Sequence, residues 1–169
     1  MSGTYDIIVV GAGHAGVEAC LVSARLGLKT LLVTTNIDRI AYMSCNPSVG
    51  GLAKGHMVRE IDILGGQMGA AADRSCIQFK RLNSSRGPAV RGSRAQCDKH
   101  IFSNLQKKAL VEQENLELLQ SEVKSLVLKA GACEGVVLQD GSEVRAKAVI
   151  ITTGTFMNGV MHFGLKQVS

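Results

Sequence analysis

Tyr5-Asp6-Ile7-Ile8-Val9-Val10-Gly11-Ala12-Gly13-His14-Ala15-Gly16-Val17-Glu18-Ala19 decides the fold. A β-branched run leads into a glycine turn, and a helix-compatible stretch from Val17 to Leu26 follows. Such a pattern reads as a buried strand, a tight turn and a helix start. Gly11 then permits the turn, Gly13 lets the backbone approach a pyrophosphate, and Gly16 lets the helix pack closely on the strand. The helix aims free N–H groups and the positive end of its dipole at the phosphates. A dinucleotide is expected there, with His14 as a turn residue beside the pyrophosphate. Gly27 ends the helix, and Lys29 to Thr34 reads as the second strand. An Asp or Glu usually closes that strand and holds a ribose hydroxyl. Here Thr34, Thr35 and Asn36 stand in its place, which keeps hydrogen-bonding capacity and leaves NAD and FAD both open.

At 169 residues and 46% apolar content, the chain is expected to form one ordinary globular domain. No stretch approaches the ~20 apolar residues of a membrane span. The first strand begins almost at once, leaving no room for a signal peptide, so a cytoplasmic protein is expected. Cys20, Cys45, Cys76, Cys97 and Cys133 are odd in number, widely spaced and without a CxxC pair. That fits reduced thiols rather than a disulfide framework or a metal site. The net charge of +5 is localised. Lys80, Arg81, Arg86, Arg91, Arg94, Lys99, Lys107 and Lys108 lie in one block against a single acid, Asp98. Charge alone leaves a solvated surface and a polyanion contact equally open.

Beyond Asn36 the chain is expected to be irregular from Ile37 to Gly51. A helix is expected from about Leu52 to Leu64, where Met57, Ile61 and Leu64 recur at i, i+4 and i+7. Gly65-Gly66 end it. Ile77 to Leu82 reads as a short strand, followed by the loop Asn83-Ser84-Ser85-Arg86-Gly87-Pro88. A second long helix is expected from about Arg94 to Glu114, with Cys97, Ile101 and Leu105 on one face. The last third reads as strands: Leu116 to Leu119, Val123 to Leu128, Gly135 to Leu138 and Val144 to Ile151. Asp140-Gly141 makes a hairpin between the last two. After Thr152-Thr153-Gly154-Thr155 there is no clear helical or strand period, and the chain is expected to be the front portion of a larger protein.

Two segments carry chemistry. In Met43-Ser44-Cys45-Asn46-Pro47-Ser48-Val49-Gly50-Gly51-Leu52-Ala53-Lys54-Gly55-His56, Pro47 restricts the backbone and biases Asn46 away from helical angles. Gly50, Gly51 and Gly55 are expected to allow close approach of a flat ligand or its phosphate. Cys45 is either a reactive thiol in a rigid loop or a small buried hydrophobe. His56 is placed toward the cofactor, and His100 and His162 on the surface or in the core. The second segment holds Arg86, Arg91 and Arg94, expected to project from an ordered loop and a helix start. Arginine binds phosphate through charge-assisted, often bidentate hydrogen bonds.

The stretches GAGHAGVEA, MSCNPSVGGLAKGHMVREIDILGGQMG, IQFKRLNSSRGPAVRGSRAQ and AKAVIITTGTFMNG together resemble one family. It is the FAD-binding subunit of the tRNA uridine 5-carboxymethylaminomethyl modification enzymes, the glucose-inhibited division protein A family. The resemblance runs from Tyr5 to Leu165 and covers only the N-terminal part of that family. It implies an α/β fold: a Rossmann-like FAD-binding domain whose parallel sheet contains an antiparallel β-meander crossover, here incomplete. The nicotinamide-binding insert and the C-terminal helical domain have no counterpart in these residues.

The resemblance further implies modification of C5 of the wobble uridine, position 34, of certain tRNAs. FAD is the cofactor, NADH and methylenetetrahydrofolate are co-substrates, and glycine or ammonium takes part. A GTP-hydrolysing partner subunit and a homodimer of the full-length protein are implied, and no membrane. By the family's binding pattern, Gly11, Ala12, Gly13, His14, Ala15 and Gly16 hold the FAD pyrophosphate, and Val123 contacts the adenine end. Cys45 becomes a candidate nucleophile or acid/base, because a thiolate is a soft nucleophile that leaves again easily. A second candidate cysteine of the family lies far downstream, so the two roles stay unassigned. Arg86, Arg91 and Arg94 become candidates for tRNA backbone contact, or for contact with a flavin phosphate or folate glutamate. Aromatic interleaving for base stacking is nearly absent, since Phe79 and Phe102 stand alone and Trp is missing. Two other readings remain: a general FAD-dependent oxidoreductase, and a nucleotide-binding fragment without activity.

Overall fold

The computed structural model describes residues 4–44, 46–52, 54–155, 157 and 159–168. The first half contains β1 (Tyr5–Val10), α1 (His14–Arg25), β2 (Thr30–Thr34), β3 (Ser48–Gly50), α2 (Lys54–Ile63), α3 (Met68–Ser75) and β4 (Cys76–Leu82). The second half contains β5 (Gly92–Cys97), α4 (Lys99–Val111), β6 (Leu116–Gln120), β7 (Val123–Lys129), β8 (Ala132–Leu138), β9 (Glu143–Ile151), β10 (Met161–Phe163) and β11 (Lys166–Val168).

Six strands form the main sheet, in the order β6-β2-β1-β9-β8-β7. β6, β2, β1 and β9 run parallel, with Ile8 beside Leu31 on one side and Val149 on the other. β7 and β8 are antiparallel, and β8 hands the chain to β9 across the Asp140-Gly141 turn. The meander therefore returns the chain into the parallel sheet beside β1. This is the mixed α/β architecture expected from the sequence.

β1 reads as a continuous apolar run because both of its faces are covered. Val9 packs with Val17, Leu21, Leu32, Phe102 and Leu110 on the helical side. Ile8 and Val10 pack with Leu31, Val33, Val136, Leu138 and Val144 on the meander side. α1 ends where Gly27 takes a positive φ of 81° and donates its N–H to Ala24 O.

A separate three-stranded sheet has the order β3-β5-β4 and is antiparallel throughout. It corrects three sequence expectations. Ser48–Gly50 is a strand inside the segment expected to be irregular. A further helix, α3, follows Gly66, where none was expected. The expected helix from Arg94 begins only at Lys99, because Asp98 Oδ1 accepts the N–H groups of His100 and Ile101 and caps it there. Residues 92–97 are strand instead. The buried face of α4 is accordingly Phe102, Gln106 and Leu110, while Ile101 is half exposed. The apolar spacing in α2 does not mark a buried face either, since that helix buries no residue and Met57 and Leu64 are exposed. The C-terminal stretch without a sequence period forms the small hairpin of β10 and β11.

Candidate cofactor cradle and basic arm

The C-terminal ends of the four parallel strands share one edge of the main sheet, where α/β folds place their ligands. The turn from β1 into α1 stands at its centre. Gly11 has φ +98°, and a Cβ there would lie 2.6 Å from Thr152 O. A Cβ on Gly16 would fall inside the radius of Gly11 O. Thr152, just past β9, locks this turn: its N–H donates to Val10 O at 2.8 Å. Its hydroxyl lies 3.0 Å from Val10 O and 2.9 Å from Gly11 O. Gly11 and Gly16 are thus required by the chain's own packing.

Gly13 is different. Its φ of −72° suits any residue, and a Cβ there would meet nothing within 4 Å. Neither backbone geometry nor internal contact calls for glycine at this exposed position. It stands at the N-cap of α1, where no side chain supplies a cap and no acid occupies the first turn. The first intrahelical bond runs from Val17 N–H to Gly13 O. The N–H groups of His14, Ala15 and Gly16 therefore begin the helix ahead of any intrahelical acceptor. The result is an open, uncapped, partially positive helix start with room in front of it.

His14 closes the inner side of this cradle. Its ring meets Phe102 edge-on at 5.7 Å, and Nδ1 is buried without a hydrogen-bond partner among the described residues. Burial lowers its pKa, against a smaller opposing pull from the Glu18 carboxylate, so the imidazole is held toward its neutral form. Glu18 itself accepts the N–H groups of Gln67 and Met68 at the start of α3. No sequence signal links residues so far apart.

The end of the edge at β2 and β6 is also assembled. Ser121 N–H donates to Thr34 O, and Gln120 Oε1 accepts Ile37 N–H, so the turn after β6 folds over the end of β2. Val123 follows that turn at the start of β7. Of the three polar residues replacing the usual acid, Thr34 is buried, and Asn36 Oδ1 is occupied by Asp38 N–H. Thr35 is exposed.

Cys45 lies outside the described residues. The segment leading to it leaves the cradle directly, through Ala41 N–H to Ala12 O at 2.8 Å. Of its glycines, Gly50 is required by the chain's own packing. A Cβ on Gly50 would collide with Ser93 O of β5, whereas one on Gly55 would make ordinary contacts. His56, expected toward the cofactor, is exposed on α2, and His100 and His162 are exposed.

The basic block separates into two parts. On α4, Lys107 pairs with Asp38 and Lys108 with Glu112. Lys99 opens α4 and donates to the Tyr42 hydroxyl at 3.4 Å, and the other five belong to the β4–β5 hairpin. Arg86 lies in the connecting loop, and its carbonyl accepts Arg91 Nε at 2.8 Å. Arg94 is not at a helix start: it sits in β5, opposite Lys80, and donates from Nη2 to Gln96 Oε1 at 3.2 Å. No group of three or more His, Cys, Asp or Glu among the described residues is placed to hold a metal ion. No helix among them is long and apolar enough to cross a membrane.

Residues 6–169 match the family described as glucose inhibited division protein A. The chain belongs to that family. It is 75% identical over 163 residues to the tRNA uridine 5-carboxymethylaminomethyl modification enzyme MnmG of Bdellovibrio bacteriovorus, covering 96% of this chain and 25% of that protein. Among solved structures, GidA of Aquifex aeolicus superimposes with a TM-score of 0.94 at 49% identity, over 98% of this chain and 28% of that one. PqsL of Pseudomonas aeruginosa, a probable FAD-dependent monooxygenase, has a TM-score of 0.59 at 16% identity, over 87% of this chain and 42% of that one. That likeness is one of fold. The chain spans about a quarter of the length of its family relatives.

Proposed function

We propose that these residues are the N-terminal part of the FAD-binding domain of an enzyme that installs the (carboxymethyl)aminomethyl group on C5 of the tRNA wobble uridine. The observation that carries the flavin half of this reading is Gly13, a glycine without an internal reason at an uncapped helix start. The diphosphate of FAD would lie against Gly11, Ala12, Gly13, His14, Ala15 and Gly16, accepting from the N–H groups of His14, Ala15 and Gly16, which precede the first intrahelical bond. Val123 and Thr35 would meet the adenosine end. A neutral His14 keeps the inner wall of the cradle uncharged, so that the helix start supplies the attraction. FAD held there would supply redox chemistry with NADH as its electron donor, and methylenetetrahydrofolate would supply the one-carbon unit. Partners in this reading are tRNA, a GTP-hydrolysing subunit and a second copy of the full-length protein.

For the uridine half, Cys45 is proposed as nucleophile or acid/base. As nucleophile, its thiolate bonds to C6 of the uracil and the C5–C6 π pair moves onto C5 and the C4 oxygen as an enolate. C5 then bonds to the methylene carbon as one of its two bonds to folate nitrogen breaks, C5 loses its proton, and the thiolate departs as the double bond re-forms; glycine or ammonium displaces the remaining folate nitrogen. The name of the Bdellovibrio relative supports this substrate class. Nucleoside analysis of tRNA from cells in which the only copy of the enzyme carries Cys45→Ser tests it. The modified uridine is expected to disappear while flavin content persists, and undiminished product would remove Cys45 from the mechanism.

A further inference from the structure

The segment from Cys76 to Cys97 holds five cations, Lys80, Arg81, Arg86, Arg91 and Arg94, and no Asp or Glu. Outside it the remaining Lys and Arg equal the 14 acids, so the whole net charge of +5 resides in this one hairpin. The described ion pairs all lie elsewhere, on Lys29, Lys107, Lys108, Arg145 and Lys147.

The register sorts these side chains. Lys80 and Gly50 flank Arg94, while Gln78 and Ser48 flank Gln96. Because neighbours across strands share a face, Ser48, Gln78, Lys80, Arg94 and Gln96 lie on one side of the small sheet. Val49, Ala95 and Cys97 occupy the other side and are buried. Lysine on an edge strand such as β4 is ordinary protection against edge pairing. Arg94 is on the central strand, where no edge exists, and directly opposite a like charge, an arrangement that destabilises an isolated sheet. A bound anion between the two cations removes that repulsion. One register step along, at roughly 7 Å for two residues of strand, two opposed primary amides offer both donors and acceptors, the groups that read a base edge.

We propose that this open face is an RNA-binding platform, with Lys80 and Arg94 holding one backbone phosphate and Gln78 and Gln96 hydrogen-bonding the base beside it. The proposal rests on the tRNA-modifying reading and adds to it the strand face, with Gln78, Lys80 and Gln96 as new contacts. The flavin diphosphate is placed in the cradle on α1; here, paired cations one register step from paired amides match a backbone phosphate with a base edge beside it. Phe79 points to the opposite face, so the base is recognised by its edge rather than by stacking.

Binding of an unmodified tRNA transcript to the purified protein, measured from 50 to 200 mM salt, tests this. Removing this one phosphate contact with Lys80→Gln plus Arg94→Gln should lower the slope of log affinity against log salt by about 0.7. Across that fourfold salt range the wild type should then lose roughly 2.6-fold more affinity than the variant. Lys80→Arg plus Arg94→Lys should keep the wild-type slope, which excludes misfolding as the cause. Gln78→Ala plus Gln96→Ala should weaken binding at least about fivefold with the slope unchanged. The exposed pair Lys129→Gln plus Lys166→Gln, which removes the same net charge elsewhere, should leave slope and affinity intact. Equal slopes for the wild type and the Lys80/Arg94 variant, or an equal loss in the Lys129/Lys166 control, would overturn the platform. A wild-type protein that binds no tRNA would instead remove the reading beneath it.

Discussion

The cradle and the basic arm are built on opposite terms. Around β1 and α1 the chain supplies every packing partner itself. Ile8, Val9, Leu21, Leu31, Leu32 and Phe102 are buried to within 1%, and Thr152 returns from the far end of the sequence to lock the glycine turn. Around β4 and α2 it does so only in part: Ile77 and Phe79 are 69% and 66% exposed, and α2 has no fully buried residue. The first region is rigid in order to present one open position, Gly13. The second presents side chains, and its properties depend on what meets them.

The largest expected effect follows from the cradle's internal packing. Gly16→Val drives a side chain into the Gly11 carbonyl and should cost about 4 kcal/mol or abolish cooperative unfolding, read by urea denaturation. Next, Phe102→Ala should destabilise by about 3–5 kcal/mol, while Phe79→Ala in the arm should stay within about 0.5 kcal/mol. Similar losses at both positions would erase the contrast between the regions.

Much of the cradle was legible in the sequence because its rules are local. The glycine spacing, the apolar run of β1, the Gly27 stop and the Asp140-Gly141 turn each act over a few residues. The arm was less legible because a strand pair is defined by a partner distant in sequence. Gly92–Cys97 lacks strong strand formers and became strand by pairing with β3 and β4, so its Arg94 was assigned to a helix. The signal that corrects this was present, since Asp98 is a helix N-cap residue by type. The α2 periodicity misled for another reason: spacing reports a face that is apolar, and here only Ile61 of that face is half-buried while Met57 and Leu64 stay exposed. Thr152 and Glu18, which lock the cradle and cap α3, could be found only in three dimensions.

A smaller effect probes the electrostatics of the cradle wall. His14 has a folded pKa below its ordinary value of 6.5, so the unfolded chain binds the proton more readily. Stability should be fully present above pH 6.5 and should fall as pH drops below it toward the folded pKa. His14→Gln should flatten that part of the pH–melting temperature profile, and an identical profile would mean that His14 is not buried neutral. The smallest effect concerns thiols. Burial pushes the Cys20 thiol up to about 12 and raises that of Cys97. In the native protein both should react with maleimide more slowly than the partly exposed Cys133.

The most direct test is the FAD affinity of Gly13→Leu beside that of the wild type, by flavin fluorescence on protein whose unfolding free energy has been measured. The folded chain has space for the new side chain, so stability should change by only about 0.5 kcal/mol. Affinity for FAD should fall at least about a hundredfold, because the diphosphate and the leucine need the same volume. Equal affinity in the two proteins would contradict the placement of a diphosphate at the start of α1.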